Sequence, residues 1–405
     1  MYLSFAWRYF KAKKSASAVN LIAWLSVIII AVATCAQVLV LSVFNGFEGL
    51  VKSLYASFYN DIKVIPAIGK TFIIQPNQLK ALQRLSFVQA YAMVVEEKAL
   101  LKNEETQKAI SIKGVDSNYT NVSDVANKLI SGNFNLGTAT TPNIIIGQGV
   151  QNAAGITVNE AFPTSTITII LPKKTSSTNI ENAIAQGNAF ATAVFAIQQE
   201  IDDKYAFTNL QYMQQQMGFA DNEYSAIEIK LQPTTPIANA HKTLQTLLGN
   251  NFIVLTRYQQ NANLYNTMRL EKWAVYLVLT LIIIIASFNI ISVLTMLVLE
   301  KQKDISILRS MGTTQWGIQK IFLFEGILIG SIGAAIGIFL AITICLLQLN
   351  FKLIKIKGGS FLIDYFPVKI LASDIILIAF TSIIIAIIAA WFPSKKAASK
   401  QVQLK

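Results

Sequence analysis

The stretch LVLEKQKDISILRSMGTTQ, residues 297–315, separates two long apolar runs and carries five charges within ten residues. Helical spacing places the apolar side chains of Ile305, Leu308 and Met311 together, with Ile307 beside them, and the charged side chains on the other side. The stretch is therefore predicted to be a short amphipathic helix pinned between two apolar segments.

The composition of the whole chain is typical of a membrane protein. Hydrophobic residues make up 53% of the 405 positions, charged residues 14%, and the mean hydropathy is +0.48. A transmembrane helix needs about 20 consecutive apolar residues. Four such spans are predicted, at residues 21–45, 271–299, 321–349 and 375–392.

The formal charge of +12 is concentrated beside these spans. Residues 46–270 are almost neutral, with 17 Lys and Arg against 16 Asp and Glu, so the charge does not indicate a nucleic-acid-binding surface. The segments 1–20, 300–320 and 393–405 carry 12 basic residues, which places them in the cytoplasm by the positive-inside rule. The loop 350–374 carries four lysines and opposes this orientation. We predict an interfacial segment at 1–20 and an extracytoplasmic domain at 46–270.

Motifs for catalysis and nucleotide binding are missing from the sequence. There is neither a G-x-x-x-x-G-K-[ST] phosphate loop nor a G-x-S-x-G nucleophile motif. Cys35 and Cys345 fall inside predicted spans, which gives no disulfide framework, and His241 is expected to be a surface residue. We expect no catalytic residues, no metal and no cofactor in this chain.

The domain at 46–270 is predicted to have an α+β fold. Residues 61–67 and 88–96 read as strands around one amphipathic helix, and residues 224–232 and 252–258 read as strands around another. Two similar units at the two ends predict one subdomain that both ends of the segment close. Residues about 99–224 are then a β-rich insertion in it.

Several features of the sequence leave two interpretations open. Gly326, Gly330, Gly333 and Gly337 allow close helix approach, either within the chain or at a subunit interface. Glu325, near the cytoplasmic end of the third span, is expected to reach the membrane interface. The loop LPKKTSSTNIENAIAQGN, residues 171–188, has two lysines and several hydroxyl groups, and its composition alone is that of an ordinary hairpin loop.

Residues 288–337 also resemble a known family. The run FNIISVLTMLVLEKQKDISILRSMGTTQWGIQKIFLFEGILIGSIGAAIG is similar to the permease signature of type VII ABC transporters, which include lipoprotein-releasing permeases, macrolide exporters and cell-division permeases. VLVLSVFNGFE, residues 38–48, resembles the lipoprotein-releasing (Lol) branch. The order of parts also matches: one span, a large extracytoplasmic domain, then three spans.

The resemblance implies a permease subunit of the bacterial inner membrane. Such a subunit pairs with a second permease, identical or paralogous, and with two copies of an ATPase that binds ATP and Mg²⁺. The machine moves lipoproteins from the membrane to a periplasmic chaperone. The alternative is a relay in which the same motion drives an extracytoplasmic hydrolase, a sensor or an efflux partner.

The resemblance also implies a site for the ATPase. In the family, the helix after the second span docks on the ATPase, which corresponds here to Asp304, Leu308, Arg309, Met311 and Gly312. We expect Gly312 to end this helix in a left-handed conformation. The other interpretation is a helix that only anchors the chain at the membrane interface.

Two further sites follow from the resemblance. A hairpin hook that binds the chaperone corresponds to Pro172, Lys173, Lys174 and Thr175, although the second proline of the family's hook is missing. A cavity for acyl chains between the first two spans is predicted to be lined by Gln37, Leu41, Phe44 and Phe288. Gln37 is a polar group at membrane depth and should face protein or a polar cavity.

Overall fold

The computed structural model describes four segments of the chain: residues 18–158, 166–174, 183–355 and 365–399. The chain divides into two compact units. One consists of Met1–Leu50 with Asn266–Lys405 and is called the membrane unit below. The other, Val51–Tyr265, is called the sheet unit.

The helices and strands are numbered along the chain. The α-helices of the described residues are α1 (Ala18–Phe58), α2 (Pro76–Gln83), α3 (Tyr119–Val122), α4 (Gln148–Ala154), α5 (Gln199–Asp202), α6 (Leu210–Met217), α7 (Ile237–Leu248), α8 (Arg257–Gln260), α9 (Ala262–Glu300), α10 (Gln302–Ser310), α11 (Gln315–Phe351) and α12 (Ala372–Ser399). The strands are β1 (Ile62–Pro66), β2 (Phe72–Ile73), β3 (Val88–Asn103), β4 (Thr106–Val115), β5 (Leu129–Gly132), β6 (Asn143–Gly147), β7 (Thr166–Pro172), β8 (Ile184–Phe195), β9 (Tyr205–Asn209), β10 (Glu223–Tyr224), β11 (Ala226–Leu231) and β12 (Phe252–Thr256).

The two predicted strand-helix-strand units of the sheet unit are present and lie side by side. They are β1–α2–β3 and β11–α7–β12, and their strands are neighbours in the order β12-β1-β11-β3. Ile62, Ile227 and Leu244 are buried together in the core that these elements share. The α+β character predicted for this domain is therefore confirmed.

The predicted insertion extends the same sheet and does not form a sheet of its own. The order continues from β3 through β4, β9, β6 and β8 to β5, and β7 pairs with both β3 and β8. The long strand β3 makes this possible, because its first half pairs with β11 and its second half pairs with β7. A separate core, which includes Ile112, Ile144 and Ile167, lies under the inserted strands.

His241 has a structural role at the edge of this sheet. Its Nε2 lies 2.9 Å from the carbonyl oxygen of Val254 in the edge strand β12. Gln245 donates to the carbonyl of Phe252 at 2.8 Å and accepts from the N–H of Val254 at 3.1 Å. Unpaired edge strands invite aggregation, and these two side chains of α7 occupy the outward groups of β12.

The four long helices of the membrane unit are long and apolar enough to cross a membrane. They extend further than the predicted spans: α1 continues to Phe58, α9 starts at Ala262, and α12 continues through Pro393 to Ser399. Hydropathy marks only the part of a helix that suits lipid, whereas the backbone hydrogen bonds continue for as long as the residues permit. In the segment predicted as 300–320, only Gln302–Ser310 forms the separate helix α10.

The four glycines of the predicted pattern all lie in α11 and pack inside the chain. Gly326 and Gly330 face alanines of α12, and Gly333 and Gly337 face α1. A Cβ added at Gly333 would lie 2.9 Å from the carbonyl oxygen of Val27, which is closer than real Cβ contacts. Of the two interpretations of this glycine pattern, the structure supports close packing within the bundle.

Candidate functional site

Ile305 fixes the short helix α10 to the long helices. Its side chain is 7% exposed and belongs to an apolar cluster with residues of α9, α11 and α12, namely Leu297, Val298, Ile318, Phe322 and Ala397. Dispersion and the removal of apolar surface from water both stabilise this contact. This contact therefore joins α10 to the ends of all three long helices.

The opposite side of this segment exposes large apolar side chains. Ile307 is 59% exposed, Met311 76% and Trp316 64%, while Leu308 is half-buried. We call Ile307, Met311 and Trp316 the outer apolar surface. The predicted single face of Ile305, Leu308 and Met311 is wrong, because six residues of helix place Met311 about 120° away from Ile305. Ile307 and Met311, four residues apart, are the pair that shares a face.

The polar residues of the predicted docking site have different surroundings. Asp304 is partly exposed and lies 3.6 Å from Lys301 in an ion pair. Arg309 donates from Nη2 to the carbonyl of Ala398 in the last turn of α12, so it joins two helices of this chain. Gly312 has φ +87°, which confirms the left-handed conformation predicted for it.

Sequence reasoning missed Trp316. It lies in the first turn of α11, two residues after the N-cap Thr314, whose Oγ1 accepts from the N–H of Gly317 at 3.2 Å. The available signal was a tryptophan two residues after a capping threonine that follows a glycine-ended helix, since such a position lies in the first turn of a new helix.

The predicted hook lies on a regular β-hairpin. Strands β7 and β8 pair in antiparallel fashion from Thr166 and Phe190 to Pro172 and Ile184. The N–H of Lys173 continues the ladder by donating to a carbonyl of the β8 side at 2.8 Å. Pro172 and Lys173 are exposed. Thr175, the fourth predicted hook residue, is outside the described residues.

Lys174 is occupied by the sheet unit itself. Its Nζ lies 2.6 Å from a carboxylate oxygen of Glu223, whose side chain is buried, and its N–H donates to the carbonyl of Met217 at 3.0 Å. Burial raises the pKa of Glu223, but hydrogen bonds from Lys174 and Thr71 outweigh it and hold this pKa below its usual range. Lys174, predicted as a chaperone-binding residue of the hook, thus ties the base of the hairpin to the sheet unit.

The predicted acyl-cavity residues do not line one cavity. Gln37 is buried and donates to Oγ1 of Thr280 at 3.1 Å, which links α1 to α9. Leu41 is 2% exposed and packs against Tyr276, among other side chains of the bundle. Phe44 is half-buried. The first two residues therefore lie in a closed helix contact.

Phe288 lies apart from these residues. It is 58% exposed, and it follows Thr280, the partner of Gln37, by eight residues of α9. Eight residues of helix span about 12 Å, so Phe288 and Leu41 lie at different depths along the bundle. Its exposure places it on the outer face of α9.

Glu325 is buried, contrary to expectation. It is 1% exposed, and within the described segments neither of its carboxyl oxygens has a hydrogen-bond partner. It sits one residue before Gly326, at the close contact of α11 with α12. An ionisable group inside a helix bundle is costly, so this burial is not explained by the hydropathy of the span.

Comparisons with known proteins match both parts of the chain. The MacB-like periplasmic core domain family matches residues 23–247, and the FtsX-like permease C-terminal family matches residues 276–402. Three curated relatives match over nearly the whole chain. They are the lipoprotein-releasing system transmembrane protein LolC of Xylella fastidiosa, 25% identical with 97% of this chain and 95% of the relative covered; LolC of Neisseria meningitidis, 26% identical with 97% and 96% covered; and LolE of Haemophilus influenzae, 25% identical with 98% and 96% covered.

The ion pair at the hairpin base gives a pH-dependent prediction. Because the folded-state pKa of Glu223 is depressed, its contribution to stability is present above the unfolded pKa of about 4.3 and is lost as the pH falls through the lower folded value. We expect the amide hydrogens of Lys173 and Lys174 to keep their protection against exchange at pH 5 and to lose it only below the usual glutamate range.

The variants Glu223→Gln and Lys174→Met should lower this protection wherever Glu223 is ionised in the wild type, and should match the wild type at pH values low enough to protonate it. The neighbouring exposed lysine supplies a matched control, Lys173→Met, which should leave it unchanged. Equal exchange in the Lys174→Met and Lys173→Met proteins would contradict the tethering role of Lys174.

Proposed function

We infer the function of this chain from one premise: it belongs to the MacB-like periplasmic core domain family, whose match covers residues 23–247 and thus more than half of its 405 positions. The FtsX-like permease match at residues 276–402 covers the three C-terminal long helices. The chain is a membrane permease with a periplasmic-type domain between its first and second long helices.

We propose that this permease releases lipoproteins from the inner membrane. The observation that carries the proposal is the match to relatives named LolC and LolE over at least 97% of this chain and at least 95% of each relative. The chain would pair with a second permease, identical or paralogous, and with an ABC ATPase dimer that binds ATP and Mg²⁺. The released lipoproteins would pass to a periplasmic chaperone.

The energetics of release explain why such a permease needs a motor. Moving an acyl chain from lipid to water costs about 0.8 kcal/mol for each CH₂ group exposed. The acyl chains of a lipoprotein therefore do not leave the membrane without an energy source. The chain contains no phosphate loop in its sequence, so the ATPase partner supplies the free energy and the permease converts it into helix motion.

The outer apolar surface provides the contact for that motor. Ile307, Met311 and Trp316 are exposed next to the one turn that joins α10 to α11, and Ile305 on the other side of α10 packs into the bundle. Large apolar side chains exposed within ten residues of one another supply the kind of surface that binds a partner. A push on the surface would reach α9 and α11 through the Ile305 cluster.

Crosslinking separates release from the relay alternative. A photoreactive residue at the exposed position Phe288 should capture the acyl chains of lipoproteins if the permease handles them in the membrane. The same residue at Trp391, which is 49% exposed on α12, serves as a control for general lipid contact. Capture of phospholipid alone at both positions, together with ATPase copurification, would favour the relay.

The docking surface makes the first functional prediction. Replacing both Ile307 and Met311 by Asp should lower permease-stimulated ATP hydrolysis by about tenfold or more, because burying an unpaired charge in an interface costs more than 1.4 kcal/mol. Gln302→Asp adds a charge on the exposed flank of the same helix and is the control. Wild-type hydrolysis in the double variant would exclude this surface as the ATPase contact.

The hairpin makes the second functional prediction. Replacing Thr175–Ile180 by two glycines keeps Lys173, Lys174 and the ion pair with Glu223, so the sheet unit should fold normally. Transfer of lipoprotein to the chaperone should fall at least tenfold, with ATP hydrolysis unchanged, because a hairpin that grips a partner needs its edge and exposed side chains.

A second variant replaces Thr175–Ile180 by a Gly-Ser segment of the native length, which tests whether the sequence or only the length of this segment matters. Its transfer of lipoprotein to the chaperone should fall by the same amount. Normal transfer by both variants would show that the second permease carries the chaperone site, or that this chain does not deliver lipoproteins. Chaperone capture by the second permease alone distinguishes these two cases.

A further inference from the structure

Three helices of the membrane unit meet in a polar cluster at the end of the bundle opposite α10. Asn45 of α1 is 3% exposed and donates from Nδ2 to Oδ2 of Asp374 in the first turn of α12 at 2.7 Å. Lys272 of α9 lies 2.9 Å and 3.1 Å from the two oxygens of the same carboxylate. Lys272 precedes α10 by about 30 residues of helix, which is about 45 Å.

The segment before α12 fastens the same part of α1. Within residues 365–371, the N–H of Lys369 donates to the carbonyl of Ser42 at 2.9 Å. A Cβ at Gly46 would overlap the backbone of Pro367, and only glycine allows this approach. The stretch NG in VFNGFE therefore has a physical role: its asparagine binds the carboxylate of α12, and its glycine admits the connecting segment.

We propose that Asn45, Lys272 and Asp374 form a latch that makes the end of α1 move together with α9 and α12 during lipoprotein release. The proposal rests on the function proposed above. These are positioning residues, because they contact each other and not the cargo. An ion pair with a buried amide between three helices is a specific contact in a region where each unpaired polar group is costly.

The latch answers a mechanical need of the permease. The Ile305 cluster joins α10 to α9, α11 and α12, and Arg309 joins it to α12, but α1 is not part of that cluster. If acyl chains are squeezed out beside α1, its far end must follow the driven helices. Leu41 already packs against Tyr276 of α9 and Ile378 of α12. Asn45 and the connecting segment add a polar link to α12 one turn further along α1, and Lys272 extends it to α9.

A charge exchange can separate the latch from a general contribution to stability. Oδ1 of Asn45 is buried and lacks a hydrogen-bond partner among the described residues. It can therefore accept from a lysine at position 374, while an aspartate at position 272 restores the ion pair. The double variant Lys272→Asp/Asp374→Lys should recover the latch that each single change removes.

The experiment measures lipoprotein released per ATP hydrolysed by the full complex in proteoliposomes. Lys272→Met and Asp374→Asn should each lower this ratio at least fivefold with ATP hydrolysis retained, and the charge exchange should restore it to within twofold of the wild type. Arg269→Met, which removes an exposed cation one turn before Lys272, is the control and should behave as the wild type. Unchanged ratios in the single variants, or equal losses of hydrolysis, release and thermal stability without rescue, would overturn the proposal.

A second experiment measures the accessibility of α1 beside the latch and does not depend on transport. Ser42 is 4% exposed under the connecting segment, so Ser42→Cys, in a chain with Cys35 and Cys345 replaced by alanine, should resist an impermeant maleimide. Labelling should be at least tenfold faster with Lys272→Met and unchanged with Arg269→Met. Equally slow labelling with Lys272→Met and with Arg269→Met would show that the cluster does not hold α1, even if lipoprotein release is confirmed. Faster labelling with Lys272→Met in a complex that releases no lipoprotein would support the latch and contradict the proposed function.

Discussion

The burial of Ile305 is the contact on which the mechanical account of this permease depends. One apolar side chain holds a nine-residue, charged helix against the ends of three long helices. Because Ile305 is inside, the opposite side of α10, with Ile307 and Met311, is outside and free to meet a partner. In the proposed function, a force on that surface would be passed on by a close-packed core, which resists compression, and would not be lost in a flexible linker.

The membrane unit uses small residues and a few polar contacts to make four helices act together. The glycines of α11 let α1 and α12 approach closely on two sides of that helix. Gln37 with Thr280 and Asn45 with Asp374 join α1 to its neighbours by hydrogen bonds. Lipid offers no hydrophobic drive for helix association, so packing and such hydrogen bonds have to supply it. Permease motion would consequently involve groups of helices and not α1 by itself.

Much of the fold could be predicted from the sequence because membrane-spanning helices need long apolar runs and half-buried strands need apolar residues at every second position. Apolar runs predicted the four long helices, and period-two alternation of apolar residues predicted β1, β3, β11 and β12. The helix ends outside lipid and the joining of the insertion to the main sheet could not be predicted. The second of these depends on β3 pairing with β7, a contact between residues about 70 positions apart that no local pattern encodes.

The candidate site was predictable to a smaller extent. The helix after the second span and the left-handed Gly312 follow from local spacing, but tertiary packing decided which of its apolar residues faces inward. Lys174 could not be recognised as a tether, since its partner Glu223 lies 49 residues further along the chain. Gln37 was correctly placed at a polar contact within the bundle, whereas Phe288 was grouped with it only because both lie in the first two spans.

The most direct test of the proposed function is ATP-dependent release of a fluorescent triacylated lipoprotein from proteoliposomes that contain the complex purified from native membranes. The quantity measured is the fraction of lipoprotein transferred to a soluble chaperone before and after ATP is added. The proposed function predicts transfer with ATP and none without ATP or with the ATPase subunit inactivated. A complex that hydrolyses ATP at its normal rate and leaves the lipoprotein in the membrane would contradict it.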